Sequence, residues 1–480
     1  MKNIYILLAV TVIFASCDKF LDVTPKGRVI PQTTEDFRYL LNRGYQEFPN
    51  YKSTLFLRTD NVTLNESDKE DNQILNMYSW GEVPTTFGNS PYAPPYQMFY
   101  QTIFYTNEVI NTGGQKMPAS DEKSQILAEA HALRAYAYFG LVNMYAKHYN
   151  KATANTDKAV PLVLKTDLEQ PFPRATVAQV YDLILKDMTQ AETMMKVEKQ
   201  QPSNNYAFSK AALYAFFSRI YLYMGEWEKS LDYTDKALAL QSNLQDLSAL
   251  GYGIYDATTV FYYQRNSEEM IMALDRPVTG EENTAYVTDE FLDNFDPTQN
   301  RKTTHFQSPA STITDLRMII SVDPDYFADY SKECPDPRDF TCPMAHYKYR
   351  IKKQGLARCS FRTGELYLTK SEILTRLQKE NEAKETFLTL LKKRHKATAA
   401  AALEAEIEAL SGDALLQRIL NDRNVELFAE GSRWFDLRRN QQKQIVHKYK
   451  DQTYTLNAND IRYTIPFPES IVKENPLLAE

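Results

Sequence analysis

Cysteine, tryptophan, glycine and histidine are all scarce in this 480-residue chain, with four Cys, three Trp, 15 Gly and six His. Each shortage excludes something. The histidines, at 131, 148, 305, 346, 395 and 447, form no HExxH or other metal spacing. The few glycines build neither a GxxxxGK(S/T) phosphate loop nor a GxSxG elbow, so nucleotide hydrolysis and serine-nucleophile chemistry lack their motifs. Paired carboxylates for glycoside hydrolysis stay open, because only their separation in space identifies them. Apolar runs are short as well: none reaches the ~18 residues needed to cross a bilayer. Positive charge is also in deficit. A net charge of −7 and a pI near 5.6 argue against a phosphate-tracking surface, so nucleic acid is not an expected partner.

What the chain has in surplus is rings with polar tips, 32 Tyr and 24 Phe, which suit wet binding surfaces. Length alone predicts roughly three domains, although a single helical array absorbs the same length. At the amino terminus, Lys2 precedes an apolar run from Ile4 to Ala15, and the small residues Ala15 and Ser16 lead into Cys17. That is the layout of a secretory signal over residues 1–16. It resembles a bacterial lipobox, with Phe14 where the pattern has Leu, and predicts that Cys17 is lipidated and tethers the chain to a membrane. Of the remaining Cys334, Cys342 and Cys359, one must stay unpaired; Cys334 with Cys342 would staple the loop CPDPRDFTC, and no CxxC spacing marks a zinc or redox site.

After a Pro-punctuated opening, Thr33 or Thr34 caps a helix to about residue 43. The stretch from Leu55 to Gln73 crowds Arg58, Asp60, Asn61, Asn65, Glu66, Asp68, Glu70 and Asp71 into a polar loop. Those oxygens suit Ca²⁺, but EF-hand spacing is missing, and a solvated loop is the competing reading. Helical periodicity marks Gln97–Asn111 and Asp121–Tyr145 as a hairpin. It also marks a pair capped by Thr176 and Ser209, with Gly225 as the stop of the second helix. Ala207 to Leu240 resembles a tetratricopeptide repeat: Ser218, Tyr221, the Gly225-Glu226-Trp227 turn, Ser230 and Ala237 stand where that pattern needs small or apolar residues. One repeat cannot bury its own face, so the pairs from Glu365 to His395 and Leu415 to Arg439 are expected to extend the array. Between 241 and 362 the helical period fades into a Tyr-rich stretch, read as a subdomain of short helices and strands. The densest charge lies in RNVELFAEGSRWFDLRR, Arg423 to Arg439, where Arg423, Glu426, Glu430 and Arg433 recur at ion-pairing intervals. An ion-paired seam that closes the array and fixes the tail is the expectation there.

Five pieces in order resemble the SusD/RagB family. They are Cys17 followed by Phe20-Leu21-Asp22 and Pro25; Asn107 with Ile110; Ala128-Glu129-Ala130 with Leu133-Arg134-Ala135-Tyr136 and Tyr138; the run from Arg423 to Arg438; and Ile465-Pro466 with Asn475-Pro476. The LLKKRH segment, Leu390 to His395, departs from the family's pattern, as does the Ala-rich insert after it. The resemblance implies a mainly α fold with a tetratricopeptide-like scaffold over about 30–240 and 363–440. It also implies a loop-rich insertion over about 241–362 forming the ligand face, and an extended tail over 441–480, all within one domain from 17 to 480. It implies a cell-surface outer-membrane lipoprotein of a Bacteroidetes-like bacterium that binds an oligosaccharide and serves a SusC-like TonB-dependent transporter. No catalysis and no cofactor are implied.

Sugars need rings for their C–H faces and directional partners for their hydroxyls. Trp227 belongs to the repeat and Trp434 to the charged run, which leaves Trp80 in an irregular loop near Arg58, Asp60, Asn61 and Asp68. The expected site is Trp80, Asp60, Asn61 and Asp68 with Tyr262, Tyr263 and Arg265, with no metal. For Trp80 the competing reading is a ring that plugs the loop onto the scaffold. Two rival functions stand beside glycan capture: a peptide-binding repeat scaffold, and a glycan-degrading enzyme.

Overall fold

The computed structural model describes residues 31–66, 72–81, 95–166, 170–255, 258–275, 285–295, 313–325, 348–352, 358–440 and 442–479. Cys17, Asp68, Cys334 and Cys342 lie outside the described residues.

Helices dominate. The first, α1 (Thr34–Gln46), opens with a capping box in which Asp36 N–H donates to Thr33 and Thr33 N–H to the Asp36 carboxylate. After a short α2 (Lys52–Phe56), a strand β1 (Val62–Leu64) and α3 (Asn72–Tyr78), the array begins with α4 (Tyr96–Glu108). It packs against α5 (Asp121–Tyr145) as the expected hairpin. The central element is α5, because Ala128, Ala130, Ala132, Ala135 and Ala137 are all fully buried and admit neighbours on every side.

A hairpin of β2 (Lys158–Pro161) and β3 (Arg174–Thr176) leads into α6 (Val177–Met194), capped by Thr176. Pairing differs here from the sequence reading. The apolar stripe of α6 (Val180, Tyr181, Ile184, Met188) packs mainly on α5, whereas α7 (Lys210–Met224) folds back on α8 (Trp227–Leu240). Gly225, at φ +74°, makes the left-handed turn between them. That hairpin is the tetratricopeptide-like segment, and its small residues earn their places. Ser218 and Ser230 are buried in contact, with the Ser230 hydroxyl donating to Ser218 O at 2.7 Å.

The array then leaves the helical plan and returns. Strands β4 (Met270–Met272), β5 (Ala285–Val287), β6 (Val322–Asp325), β7 (Lys348–Ile351) and β8 (Phe361–Arg362) alternate with short helices α9 (Asp289–Leu292) and α10 (Arg317–Ser321). One antiparallel sheet runs β1-β5-β7-β6, so the early strand Val62–Leu64 joins the later ones, pairing Val62 with Val287. Helix α11 (Thr363–Arg376) stacks directly on α8 and pairs with α12 (Glu380–Arg394), and α13 (Ala400–Ala409) and α14 (Gly412–Glu426) follow. The charged run divides into the end of α14 and a separate α15 (Arg433–Arg439), with a turn between them in which Ala429 and Gly431 have positive φ. Downstream, the expected extended tail contains a hairpin, β9 (Ile445–Tyr449) with β10 (Gln452–Leu456), and a short α16 (Glu469–Glu474).

The seam ties residues of the 241–362 stretch to α12 and α14. Glu426 is fully buried and its carboxylate accepts from Arg317, Arg362 and Arg394 at 2.7–3.2 Å. Around it, Arg394 reaches Glu269, Arg362 reaches Glu430, and Arg317 reaches Asp315 and Asp422. Burial pushes the Glu426 carboxyl up, but the three guanidinium groups outweigh it and hold the acid well below the usual carboxylate range. Arg423 joins Glu365 to Asp436, and Arg439 joins Asp436 to Glu372. Arg438 donates to the last carbonyls of α5, Asn143 O and Ala146 O, where a helix carries its partial negative charge. Cys359 is a free, buried thiol within this region, accepted by Glu430 at 3.2 Å.

Candidate functional site

Two of the sequence-predicted site residues, Asp60 and Asn61, meet at a cleft; Trp80, Tyr262, Tyr263 and Arg265 do not line it, and Asp68 lies outside the described residues. Asp60 and Asn61, just before β1, line a cleft of about 420 Å³ together with α9, α14 and α15. Asp60 receives a two-pronged guanidinium from Arg433 at 2.8 and 2.6 Å and the ammonium of Lys443 at 2.8 Å. Burial raises its pKa, and those cations more than reverse the effect, so the carboxylate stays ionised far below its ordinary range. Asn61 and Asn424 exchange amide hydrogen bonds at 2.8 and 2.9 Å, both side chains buried. The base of the cleft is Phe291, stacked on Phe428 at 4.4 Å.

The outer wall is polar and neutral. Gln417, Asn421 and Asn424 recur at intervals of four and three on α14, which places all three amides on one helix face. Gln417 donates to Asn421 at 2.9 Å, and Asn440, past the end of α15, adds another amide. An amide presents two donors and a carbonyl, so this wall matches ligands whose groups donate and accept together, as hydroxyls do. Sequence reasoning assigned the charged run entirely to framework and passed over this face, although the amide spacing was there to see.

Trp80 takes the other reading offered for it. Only 2% of its surface is exposed, its indole N–H donates to Arg58 O at 3.0 Å, and its ring stacks on His447 at 4.3 Å. His447 in turn stacks on Tyr78, the last residue of α3, at 4.0 Å, so His447 of the tail hairpin is wedged between the Tyr78 and Trp80 rings and Trp80 is closed off from solvent. Tyr262 is equally committed, with the guanidinium carbons of Arg394 and Arg362 lying 4.3 and 4.6 Å from its ring centre. Tyr263 is buried beside it. Arg265 donates to Pro202 O, Ser203 O and Asn205 and lines a separate cleft of about 390 Å³ with Tyr206 and Arg358. These Tyr and Trp rings therefore serve the core and the seam, where flat rings cover buried guanidinium groups. Among the described residues no group of His, Cys, Asp or Glu is placed to hold a metal, and no helix is long and apolar enough to cross a membrane.

Comparison with known proteins follows the same architecture. A family model described as "Starch-binding associating with outer membrane" matches residues 19–222, and one described as "SusD family" matches residues 341–478. A SusD-like protein of Formosa agariphila is 24% identical over 496 residues, covering 91% of each chain. A SusD superfamily protein from Bacteroides thetaiotaomicron superposes with a TM-score of 0.70 at 21% identity, covering 93% of this chain and 98% of that one. A SusD-like carbohydrate binding protein from Bacteroides vulgatus does so with a TM-score of 0.67 at 17% identity, over 93% and 97% of the two chains.

Proposed function

The chain belongs to the SusD/RagB family, and from that premise we propose that it is a cell-surface lipoprotein that captures an oligosaccharide and passes it to a SusC-like TonB-dependent outer-membrane transporter. The observation that carries the ligand class is the amide face of α14. Gln417 and Asn421 stand at the cleft, while Asp60, Arg433, Asn61 and Asn424 behind them are already paired and hold the wall in place. A carbohydrate arriving there finds donors and acceptors preset, so little ordering entropy is lost on binding. One family description carries the words starch-binding and one similar solved structure the words carbohydrate binding, in support of the same reading.

In this reading the chain binds its ligand without transforming it, and Cys17 supplies the anchor. The test is a glycan array on the soluble form lacking residues 1–17, followed by calorimetry of Asn421→Ala and Gln417→Ala on whatever binds. Each truncation removes a hydrogen bond made in a partly desolvated cleft and is expected to weaken binding by roughly five- to tenfold, about 1 kcal/mol. Unchanged affinity in both variants moves the site elsewhere, sustained release of shortened product makes the protein an enzyme, and selective binding of peptides replaces the glycan with a peptide. For the anchor, Cys17→Ala in the full chain should shift the protein from the membrane fraction to the soluble one.

A further inference from the structure

A second cleft, of about 630 Å³, opens between α4, the loop after β2 and the C-terminal α16. Its chemistry is the reverse of the amide cleft. Tyr96, Tyr100 and Phe104 stand at intervals of four along α4 and therefore on one face, and Phe172 adds a ring from the loop. Phe104 is 43% exposed, among the most exposed large apolar side chains of the described residues, and Tyr96 and Tyr100 lie 4.9 Å apart, centre to centre.

Apolar walls facing each other in water should close. Here side chains hold the backbone on both described sides of the loop. The Asn107 amide donates to Val163 O and that of Asn111 to Leu164 O, each at 2.9 Å, the Tyr100 hydroxyl donates to Pro161 O at 2.8 Å, and the Asn475 amide to Phe172 O at 2.9 Å. The opening is thus built into the fold, and its rings are preset. Around the rings, exposed Gln97, Lys165 and Glu474 form a polar rim. An aliphatic group would use the rings and leave the rim idle; a flexible polar chain would do the opposite. A pyranose, apolar on its face and hydroxylated at its edge, uses both.

We propose that this cleft is a second saccharide site, which takes one or two sugar rings by their faces on Tyr100 and Phe104 while Gln97, Lys165 and Glu474 meet the edge hydroxyls. The inference rests on the glycan reading of the family, but not on the amide cleft. Saturation-transfer NMR and calorimetry on the soluble form would use short linear malto-, cello-, laminari-, xylo- and manno-oligosaccharides as probes. Wild type is expected to show two classes of site, Phe104→Ala to weaken one class by roughly tenfold, and Asn421→Ala to weaken the other. Glu474→Ala, a change at an exposed rim position, provides a second variant, expected to weaken the same class as Phe104→Ala. If Phe104→Ala and Glu474→Ala bind as wild type does while Asn421→Ala loses binding, the second site is refuted and the amide cleft stands. If the reverse holds, the amide cleft falls and the ring cleft stands. If no oligosaccharide binds wild type, both readings fall together.

Discussion

Replacing Glu426 by Gln keeps its size and removes its charge, and the seam makes the consequence calculable. Its two oxygens accept five hydrogen bonds from Arg317, Arg362 and Arg394, and all four side chains are buried. A glutamine must turn its NH₂ toward at least one guanidinium, so donor faces donor, and three cations share one anion fewer. Removing one partner of a buried ionic network costs about 3–5 kcal/mol, because what remains is an uncompensated buried charge. At about 2.1 cal/mol/K per residue, 480 residues give an unfolding entropy of about 1 kcal/mol/K, so Tm falls by about 3–5 °C. An exposed pair provides the control: Lys473 and Glu469 sit 2.7 Å apart with side chains 72% and 65% exposed, and Glu469→Gln should leave the melting temperature essentially where it is. Calorimetric melting of both variants, with Arg394→Met and the Arg394→Met/Glu426→Gln double variant closing a cycle, measures the coupling. The reasoning is refuted if Glu426→Gln melts within 1 °C of wild type, or if the two losses are additive.

Three further outcomes follow from the packing and the charges. Gly364→Ala drives a methyl into the Arg362 guanidinium and to 2.6 Å from the Glu426 carboxylate, so it should destabilise by about 2–4 kcal/mol despite the better helix propensity of Ala; a variant as stable as wild type would show that the cluster yields freely. Trp80→Ala removes a buried ring from the His447 stack and should cost about 3–5 kcal/mol by denaturant unfolding, while the folded fraction keeps its glycan affinity. Acid should weaken the fold in two stages. Burial pushes His447 down to about 4 and His148 to about 3, so below pH ~6.5 the unfolded chain takes up protons that the folded one refuses. Glu365 and Glu372, lowered to about 2 by Arg219, Arg423 and Arg439 against the penalty of burial, then lose their contribution as pH falls from ~4.5 towards that value. Urea midpoints measured at pH 7, 5 and 3.5 should fall throughout; a midpoint unchanged between pH 7 and 5 would refute the histidine stage.

How much of this was legible from residues alone depends on sequence separation. Capping by Thr33, Thr176 and Ser209 and the stop at Gly225 are local chemistry, and the structure places them as read. The run from Arg423 to Arg439 announced ion pairs, but the partners of Glu426 are at 317, 362 and 394, and no periodicity points to residues that far apart. The irregular loop around Trp80 makes its ring look free in sequence. What covers it is His447, 367 positions later by simple subtraction, on a hairpin that the tail's composition did not suggest. The amides at 417, 421 and 424 were the opposite case: a helical spacing in plain view, overlooked because their neighbours were charged.

The seam also has a temporal side. In order of synthesis, Glu269, Asp315, Arg317, Arg362 and Arg394 precede residue 420, while Asp422, Glu426 and Glu430 come after it. A chain stopped short of α14 holds three of these arginines against two of their acids. Completion of the carboxyl-terminal helices is therefore what makes the interior electrically tolerable.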